Sequence, residues 1–428
     1  MNKPIRVLIF PCGKENGLEI YQSLRYAVNI TVFGASSIRD HGAFVYENYI
    51  SGVPFIQDDS FIDEFEKIIN KNKIDLVIPT HDSVSLFLAK NRSLLSAIIV
   101  APNVTSAQIC RDKKLTYDIL KGNAFLPDIF SLESVIHDNK FPVFVKPRIG
   151  EGGKNTMLCH NKDDLKKNIP REDDYLISEY LPGEELTVDC FTDKKGELLF
   201  VGPRSRNRVV NGISYNATRY SLTQEIHSIA KTIGESIPMR GLWYFQVKKD
   251  IYGFFKLLEV SCRTAGTMVF YRMLGVNFAL LSVYDYLEYD VEVLFNNIGI
   301  ELDRTIRNRF LLTIEFDVVY IDYDDTIIIK NLVNEMAIAF IYQMINQGKK
   351  IILITKHEGD IYTSLNKYRI APNIFYEIIH LNTNQFKSGF IKSEKAILID
   401  NDFKTRKEVH SILGIPVFDV DAIEGLIK

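Results

Sequence analysis

The segment from residue 141 to residue 154 constrains this chain more than any other. Its apolar start, Phe-Pro-Val-Phe-Val, predicts a strand that ends at Lys146, which the following Pro147 holds in extended backbone. Glycines let a backbone approach a ligand and direct N–H groups at an anion such as phosphate. The lysine adds a positive charge for the same anion. Three glycines follow within four residues: Gly150, Gly152 and Gly153.

This glycine turn is not a Walker A loop, which requires Gly-x-x-x-x-Gly-Lys-Ser/Thr at the start of a helix. Lys154 is followed by Asn155, and the first glycine position of that pattern holds Arg148. The turn does not fit Gly-x-Gly-x-x-Gly either. Residues 155–159 predict a second strand, so the pattern indicates a mobile flap that folds over phosphates. An ordinary glycine hairpin with an exposed lysine is the alternative.

Composition and charge exclude several protein classes. A hydrophobic fraction of 46% and a charged fraction of 25% are typical of a soluble globular protein. The net charge of −3 gives no basic footprint for nucleic acid. The five cysteines are scattered, so we expect neither a zinc site nor disulfides, and a cytoplasmic location. The apolar run at 7–10 is too short for a signal peptide, and charges interrupt the apolar region 266–287, which predicts a buried helix instead of a membrane span.

The predicted fold class is α/β and α+β, with several domains. Strands alternate with helices in residues 1–105, which predicts a doubly wound parallel sheet. Residues 106–295 mix helices with antiparallel hairpins, the polar residues 296–314 are predicted to be a linker, and strand–helix alternation returns in 315–428. The strands predicted in the two alternating regions are 6–10, 30–33, 76–79 and 97–100, then 318–321, 350–354 and 396–399.

Acidic and polar residues follow the glycine turn in an order that suits a nucleotide. Glu179 and Glu185 lie at strand ends, where carboxylates can accept from an adenine amino group and from ribose hydroxyls. Gln246 lies on a strand that a short turn joins to the strand of Glu259, so the two side chains can face each other. Oxygen ligands for Mg²⁺ beside a guanidinium are what a transferring phosphoryl group requires. Alternation places three side chains on one face of the second strand: Glu259, Ser261 and Arg263.

This ordered set resembles the ATP-grasp superfamily, and is most similar to its carbamoyl-phosphate-synthase-like branch, over residues 1–295. The resemblance implies that two antiparallel sheets clamp ATP, with a flap subdomain at about 118–182, and that ATP activates a carboxylate as an acyl phosphate for attack by an amine. The family usually has Asn at the position of Ser261, and an amide oxygen is a stronger metal ligand than a hydroxyl. The resemblance is therefore compatible with either one or two metal ions at this site. The implied roles are Lys113 and Lys146 at the phosphates, Gly150, Gly152 and Gly153 in the flap, Glu179 and the Leu181 backbone at adenine, Glu185 at ribose, Gln246, Glu259 and Ser261 at Mg²⁺, and Arg263 at the transferring phosphate.

Other polar residues of this region have open interpretations. Arg204 and Arg206 could neutralise a substrate carboxylate or phosphate, or belong to a solvated loop. His81 and Asp82 follow a predicted parallel strand, where doubly wound sheets bind ligands, but a loop cap is equally compatible. Lys113 alone could be an exposed lysine at a helix start, and Glu259 with Arg263 could form a structural ion pair.

The C-terminal region carries a second pattern. Asp322 and Asp324 end a predicted strand and leave it on the same side, so one can attack phosphorus while the other handles the leaving-group proton. Two such anions need Mg²⁺ beside a phosphate. With Thr355, Lys387 and Asp400 they resemble the HAD-type phosphohydrolase superfamily over residues 315–428. The resemblance implies Asp322 as nucleophile, Asp324 as acid–base, Thr355 and Lys387 as phosphate binders, and Asp322, Asp324 and Asp400 as Mg²⁺ ligands.

This second resemblance is incomplete in places. Lys392 rivals Lys387 for the lysine role, and Asn401 stands where a second Asp is common, a change for which Asp402 could compensate. The short C-terminal region leaves little room for a cap domain and implies an open site. Paired Asp residues also occur as turn caps, and the domain could be a scaffold.

The sequence therefore predicts an ATP- and Mg²⁺-dependent carboxylate–amine ligase fused to a HAD-type phosphatase. The expected partners are a small carboxylate and an amine, and we expect neither nucleic acid nor a membrane as a partner. The sequence is compatible with a homodimer. A nucleotide-binding regulatory protein with degenerate sites is one alternative, favoured by Ser261 and Asn401. A small-molecule kinase that does not ligate is another.

Overall fold

A parallel sheet with helices on its faces begins the chain. The structure is a computed structural model and describes residues 3–150, 152–169, 171–210, 212–305 and 308–427, so Glu151 of the predicted flap lies outside it. The sheet order is β3-β2-β1-β4-β5, with all neighbours parallel. The strands are β1 Ile5–Phe10, β2 Ile30–Ser36, β3 Asn48–Ser51, β4 Leu76–Pro79 and β5 Ile98–Ile99, and the helices are α1 Glu15–Leu24, α2 Phe61–Asn72 and α3 Asp82–Lys90.

The central strand β1 is buried on both faces, because Val7, Leu8 and Ile9 all have 0% exposure. The strand order reverses between β1 and β4, so their carboxyl ends border a crevice suited to a ligand. The predicted doubly wound sheet is confirmed. The edge strand β3 was missed because its half-buried sequence, Asn-Tyr-Ile-Ser, lacks an apolar run.

Two short helices lead into a small antiparallel sheet that carries the glycine turn. The sheet order is β6-β9-β7-β8, and the turn joins β7 to β8. The elements are α4 Val104–Arg111, α5 Lys113–Ile119, β6 Ile129–Phe130, α6 Leu132–His137, β7 Val143–Pro147, β8 Met157–Cys159, α7 Lys162–Asn168 and β9 Tyr175–Glu179.

A larger antiparallel sheet faces this one, with the order β11-β10-β14-β15. Its hairpin turns lie where the sequence predicted them, between β10 and β11 and between β14 and β15. The elements are β10 Glu185–Thr192, β11 Leu198–Ser205, α8 Gln224–Ser236, β14 Gly241–Lys249, β15 Phe255–Ser261, α9 Val269–Arg272 and α10 Phe278–Tyr286.

Residues 296–314, predicted to be a linker, instead contain two paired strands. They extend a four-stranded antiparallel sheet with the order β12-β13-β16-β17. Ile300 and Leu302 alternate with acidic residues and are buried, so a strand pattern was hidden by the polar composition. The strands are β12 Arg208–Val210, β13 Ile213–Thr218, β16 Gly299–Arg304 and β17 Asn308–Thr313.

A second parallel sheet forms the C-terminal region, with the order β22-β21-β18-β23-β24. The three strands predicted there are confirmed, and the outer two, β22 and β24, were not foreseen. The strands are β18 Val318–Ile321, β19 Ile328–Ile329, β20 Leu332–Val333, β21 Lys350–Thr355, β22 Glu377–His380, β23 Ala396–Ile399 and β24 Val417–Phe418, and the helices are α11 Glu335–Asn346, α12 Ile361–Lys367, α13 Phe403–Leu413 and α14 Ile423–Leu426.

Short 3-10 helices complete the described elements, at 41–44, 92–94, 172–174, 372–374, 387–389 and 420–422. In the part of the chain that the structure describes, every helix is too short or too polar to span a membrane.

Candidate functional site

Lys146, at the end of β7, is a buried cation with neutral partners. Its Nζ donates to the Tyr117 hydroxyl at 2.6 Å and to the Leu258 carbonyl at 3.0 Å, and the residue is 5% exposed. Burial and the charge of Lys113 lower the pKa of Lys146 to about 7, although Glu259 opposes the shift. A buried ammonium without a hydrogen-bonded carboxylate is stabilised when an anionic ligand binds beside it.

Lys113 begins α5 directly beside the glycine turn. Its Nζ lies 3.6 Å from Glu259 Oε2 and donates to the Gly150 carbonyl at 3.4 Å. The helix start is tied to the same segment, because Asp112 caps α5 and pairs with Arg148 at 2.5 Å. Helix capping and an ion pair therefore place two lysines and a carboxylate at the base of the turn.

The glycine turn itself closes onto the hairpin of β12 and β13. Gly152 and Gly153 have φ values of +60° and +66°, in the left-handed region that favours glycine. A Cβ on Gly212 would lie 2.4 Å from the carbonyl carbon of Gly152, so the two backbones are in close contact. Arg206 fixes this hairpin by donating to the Gly212 carbonyl at 2.9 Å.

Gln246 and Glu259 form a direct cross-strand pair between β14 and β15, as the short turn between the two strands predicted. Glu259 points to Lys113, which is the side of the sheet that faces the glycine turn. Amide and carboxylate oxygens on adjacent strands can share one cation.

Ser261 and Arg263 are both held by Asp82, the first residue of α3. The Ser261 hydroxyl donates to Asp82 Oδ1 at 2.6 Å and Arg263 Nε donates to Oδ2 at 2.8 Å. Burial opposes ionisation, but the Arg263 charge and these hydrogen bonds outweigh it and hold the pKa of Asp82 below its usual range. Asp82 is therefore neither a simple loop cap nor a free ligand, because it orients Arg263. Ser261 was predicted as a metal ligand, but its hydroxyl donates a hydrogen bond to this carboxylate instead.

The predicted adenine and ribose carboxylates are engaged by protein groups. Glu179 Oε1 accepts from the Asp128 backbone N–H at 3.0 Å, and Leu181 beyond it is buried. Glu185 lies 2.6 Å from Arg206 and 3.8 Å from Lys248. The same arginine thus contacts the predicted ribose carboxylate and the hairpin on which the flap rests.

Arg204 does not lie in a substrate pocket, which corrects its predicted role. It has 0% exposure, and its guanidinium binds Asp189 at 2.7 and 3.2 Å and also the Thr267 hydroxyl. Alternation along β11 turns this side chain into the protein, opposite β10. Asp189 lies between Val188 and Cys190 in β10, and an acid buried between such residues requires a cationic partner, which was the available signal.

Three of the predicted C-terminal residues meet at the carboxyl ends of β18 and β23. Lys387 Nζ binds Asp400 Oδ2 at 2.6 Å and also Asp322 Oδ1, and all three side chains are buried. Burial and the charge of Asp400 raise the pKa of Asp322 to about 7, against the effect of Lys387. Thr355 is buried at the end of β21, on the same edge of the sheet.

The remaining C-terminal predictions separate in the structure. Asp324 is half-exposed and contacts Nδ1 of His357 at 2.9 Å, a residue that the sequence patterns did not single out. The exposed Lys392 is not at the carboxylates, which removes it as a rival to Lys387. Asp402 does not compensate for Asn401, because its carboxylate caps α13 through the Lys404 and Thr405 N–H groups.

Among the described residues, no group of three or more Asp, Glu, His or Cys side chains is arranged to hold a metal ion. The pairs Gln246–Glu259 and Asp322–Asp400 each offer two oxygen-bearing side chains. Mg²⁺ is commonly held by one or two carboxylates together with substrate phosphates. Both pairs therefore fit Mg²⁺ that arrives with a phosphorylated ligand.

Comparisons with known proteins agree with the two-sheet clamp. A protein-family model described as ATP-grasp in the biosynthetic pathway with Ter operon matches residues 171–299. A D-alanine–D-alanine ligase of Thermotoga maritima is 31% identical over 97 residues, which cover 21% of this chain and 32% of the ligase. The chain thus spans less than half of the length of that curated relative.

Solved structures share the fold at low sequence identity. The biotin carboxylase–β-γ-ATP complex from Campylobacter jejuni has a TM-score of 0.58 and 14% identity, and the match covers 70% of this chain and 75% of that one. An L-amino acid ligase from Bacillus licheniformis has a TM-score of 0.56 and 16% identity, with 71% and 80% covered. Residues 171–299 therefore match an ATP-grasp family model, and about 70% of the chain shares its fold with these solved structures.

Proposed function

We propose that the chain is an ATP-dependent ligase that activates a small carboxylate as an acyl phosphate and joins it to an amine. The observation that carries this proposal is the pair Lys113 and Lys146 beside Glu259, beneath the glycine turn. Relatives named as D-alanine–D-alanine ligase and L-amino acid ligase support this class of reaction. The family description, which names a biosynthetic pathway, supports a biosynthetic role.

In this mechanism the protein binds and orients and does no covalent chemistry of its own. Lys113 and Lys146 would hold the phosphates, and Gln246 and Glu259 would hold Mg²⁺, which neutralises charge on the phosphates when bound. The flap excludes water by resting on the hairpin of β12 and β13. Arg263, oriented by Asp82, is directed at the charge that develops during transfer.

The test is ADP release from ATP with pairs of amino acids and other small carboxylates and amines, followed by mass analysis of the product. A product with a new amide bond supports ligation, whereas a phosphorylated acceptor supports a kinase. Lys146→Met should abolish turnover, and Lys114→Met, on the exposed side of α5, is the matched control. ATP binding without turnover across the panel would favour a regulatory protein.

We further propose that the C-terminal region is a HAD-type phosphatase. The contacts of Lys387 with Asp322 and Asp400 support this role, because a lysine between two strand-end carboxylates also suits a phosphate. Asp322 would attack phosphorus and break the P–O ester bond, the departing alcohol would take a proton from the Asp324–His357 pair, and water would then release phosphate. Phosphate release from a panel of esters should disappear in Asp322→Asn and persist in Asp317→Asn, at an exposed control position. Equal activity of wild type and Asp322→Asn would favour a scaffold.

A further inference from the structure

A cavity of about 670 Å³ lies between the ATP-grasp domain and the C-terminal region, and none of the residues assigned above to the two proposed reactions lines it. One wall comes from α10 and residues 289–294, and the other from residues 401–407 and 417–422. Cavities of this volume between domains are of the size that encloses a small organic molecule.

The cavity lies on the same sheet edge as the candidate phosphatase site. Its C-terminal wall is made of β24 and of residues that follow β23 and β24, and carboxyl ends of parallel strands share one edge. Asn401, at this wall, directly follows Asp400, which binds Lys387. Asn401 also shares hydrogen bonds with Thr326, in the loop that begins at Asp322. A chain of direct contacts therefore links the cavity wall to the proposed nucleophile.

The cavity is lined by apolar side chains and by charged side chains, most of which form ion pairs. Arg406 is paired with Asp419 at 2.7 Å, Lys407 is paired with Glu292, and Lys404, another lining cation, is exposed to solvent. An uncharged apolar or aromatic group is the ligand that such walls accommodate without leaving a buried charge unpaired. The apolar lining residues include Leu280, Leu281, Tyr284, Val291, Val293 and Phe403.

The C-terminal region carries only short insertions near its phosphate site, such as the β19–β20 hairpin. An open site was the expectation from sequence. The ATP-grasp domain instead covers this side of the edge through α10 and the segment after it. The neighbouring domain therefore forms one wall of a cavity whose other wall includes Asn401, the residue next to Asp400.

We propose that this cavity binds the organic part of a phosphate monoester whose phosphate lies at Asp322 and Lys387, and that this organic part is apolar or aromatic. The inference rests on the phosphatase function proposed above. It makes the ATP-grasp domain a specificity element for the second reaction.

The test uses the full chain with two esters, 1-naphthyl phosphate and glycerol 3-phosphate. Leu281→Trp fills the cavity, and Phe403→Ala removes part of its opposite wall. Each should lower kcat/KM for the naphthyl ester by about tenfold or more, which corresponds to the loss of a buried aromatic contact, and leave glycerol 3-phosphate within about twofold. Leu413→Trp, at the exposed end of α13, is the matched control. Equal effects on both esters, or none on the naphthyl ester, would overturn the inference.

A binding measurement separates this inference from the phosphatase proposal. Asp322→Asn is titrated with 1-naphthyl phosphate, and the naphthyl fluorescence reports the dissociation constant. Binding that Leu281→Trp weakens by about tenfold supports the cavity site even if no Asp322-dependent hydrolysis is found, an outcome that would reject only the phosphatase. Binding that is absent, or that Leu281→Trp leaves unchanged, rejects the cavity site whatever the hydrolysis assay shows.

Discussion

ATP binding at Lys146 is expected to be coupled to the uptake of a proton. The pKa of this lysine is about 7 because its ammonium is buried and Lys113 lies nearby. A bound triphosphate brings negative charge that restores the protonated form. At pH 8, a group with a pKa of about 7 is roughly one-tenth protonated, so the complex should take up about 0.9 proton per ATP. At pH 6 the lysine is already about nine-tenths protonated, and the uptake should fall to about 0.1 proton.

Isothermal titration calorimetry measures this quantity directly. A non-hydrolysable ATP analogue with Mg²⁺ is titrated at pH 8 in HEPES and in Tris, and the observed enthalpy is plotted against the ionisation enthalpy of the buffer. The slope gives the number of protons taken up. Because ATP bound to Mg²⁺ is fully deprotonated at pH 8, its own titration does not contribute.

Two variants identify the lysine as the source of the proton. Lys146→Arg keeps a cation that stays protonated at pH 8, so it should bind the analogue with a slope near zero. Lys114→Met, at an exposed position on α5, should retain the wild-type slope. A wild-type slope near zero with intact binding, or an unchanged slope in Lys146→Arg, would refute the assignment of a depressed pKa to Lys146.

Three further substitutions test the carboxylate opposite Gln246, the buried pair of Arg204 with Asp189, and the contact between the flap and the β12–β13 hairpin. Glu259→Gln should abolish ATP turnover with an unchanged circular dichroism spectrum, because it removes the carboxylate opposite Gln246; unchanged turnover would reject the assignment. Arg204→Met should lower the free energy of unfolding in urea by about 3–5 kcal/mol, because Asp189 is left buried and unpaired, and a cost below 1 kcal/mol would contradict the buried pair. Gly212→Ala should weaken ATP binding, because its Cβ would meet Gly152 and the left-handed φ is unfavourable by about 1 kcal/mol, and unaltered affinity would show that the flap does not need this contact.

Local sequence patterns were sufficient to predict those elements that are defined by residues close together in the chain. The glycine turn, the strand of Lys146 and the strand-end pair Asp322 and Asp324 are each defined by neighbouring residues, and the observed strands end where these residues predicted. The pairing of Gln246 with Glu259 followed from the short turn between their strands. In each case a period of two and a turn signal fix the geometry.

Contacts between segments that are far apart in the chain could not be predicted from such local patterns. Asp82 lies 179 residues from Ser261 along the chain, so alternation within β15 could not reveal what holds Ser261 and Arg263. Arg204 was assigned to a ligand because a guanidinium binds a substrate carboxylate as well as it binds a carboxylate of the protein. The pairing of β10 with β11 brings Asp189 to it instead. The linker was misjudged because composition was weighed above the alternation of Ile300 and Leu302.

The C-terminal region is packed into the rest of the chain around one buried arginine. Arg272, on α9, binds Glu19 of α1 at 2.7 Å and lies 3.5 Å from Glu424 of α14. Asn277 adds a hydrogen bond to Asp421 at 2.9 Å. Removing one member of such a network leaves a buried charge unpaired, which is strongly unfavourable.

Apolar packing also joins the C-terminal region to the region that precedes it. Ile298 and Leu312, which flank and form the β16–β17 hairpin, pack against the core of the ATP-grasp domain and also against that of the C-terminal region. A chain cut near residue 314 would therefore expose apolar surface on the ATP-grasp side and leave Arg272 without its C-terminal partners. The two candidate phosphate sites consequently belong to one packed unit, and their relative position is fixed by buried contacts and not by a flexible connection.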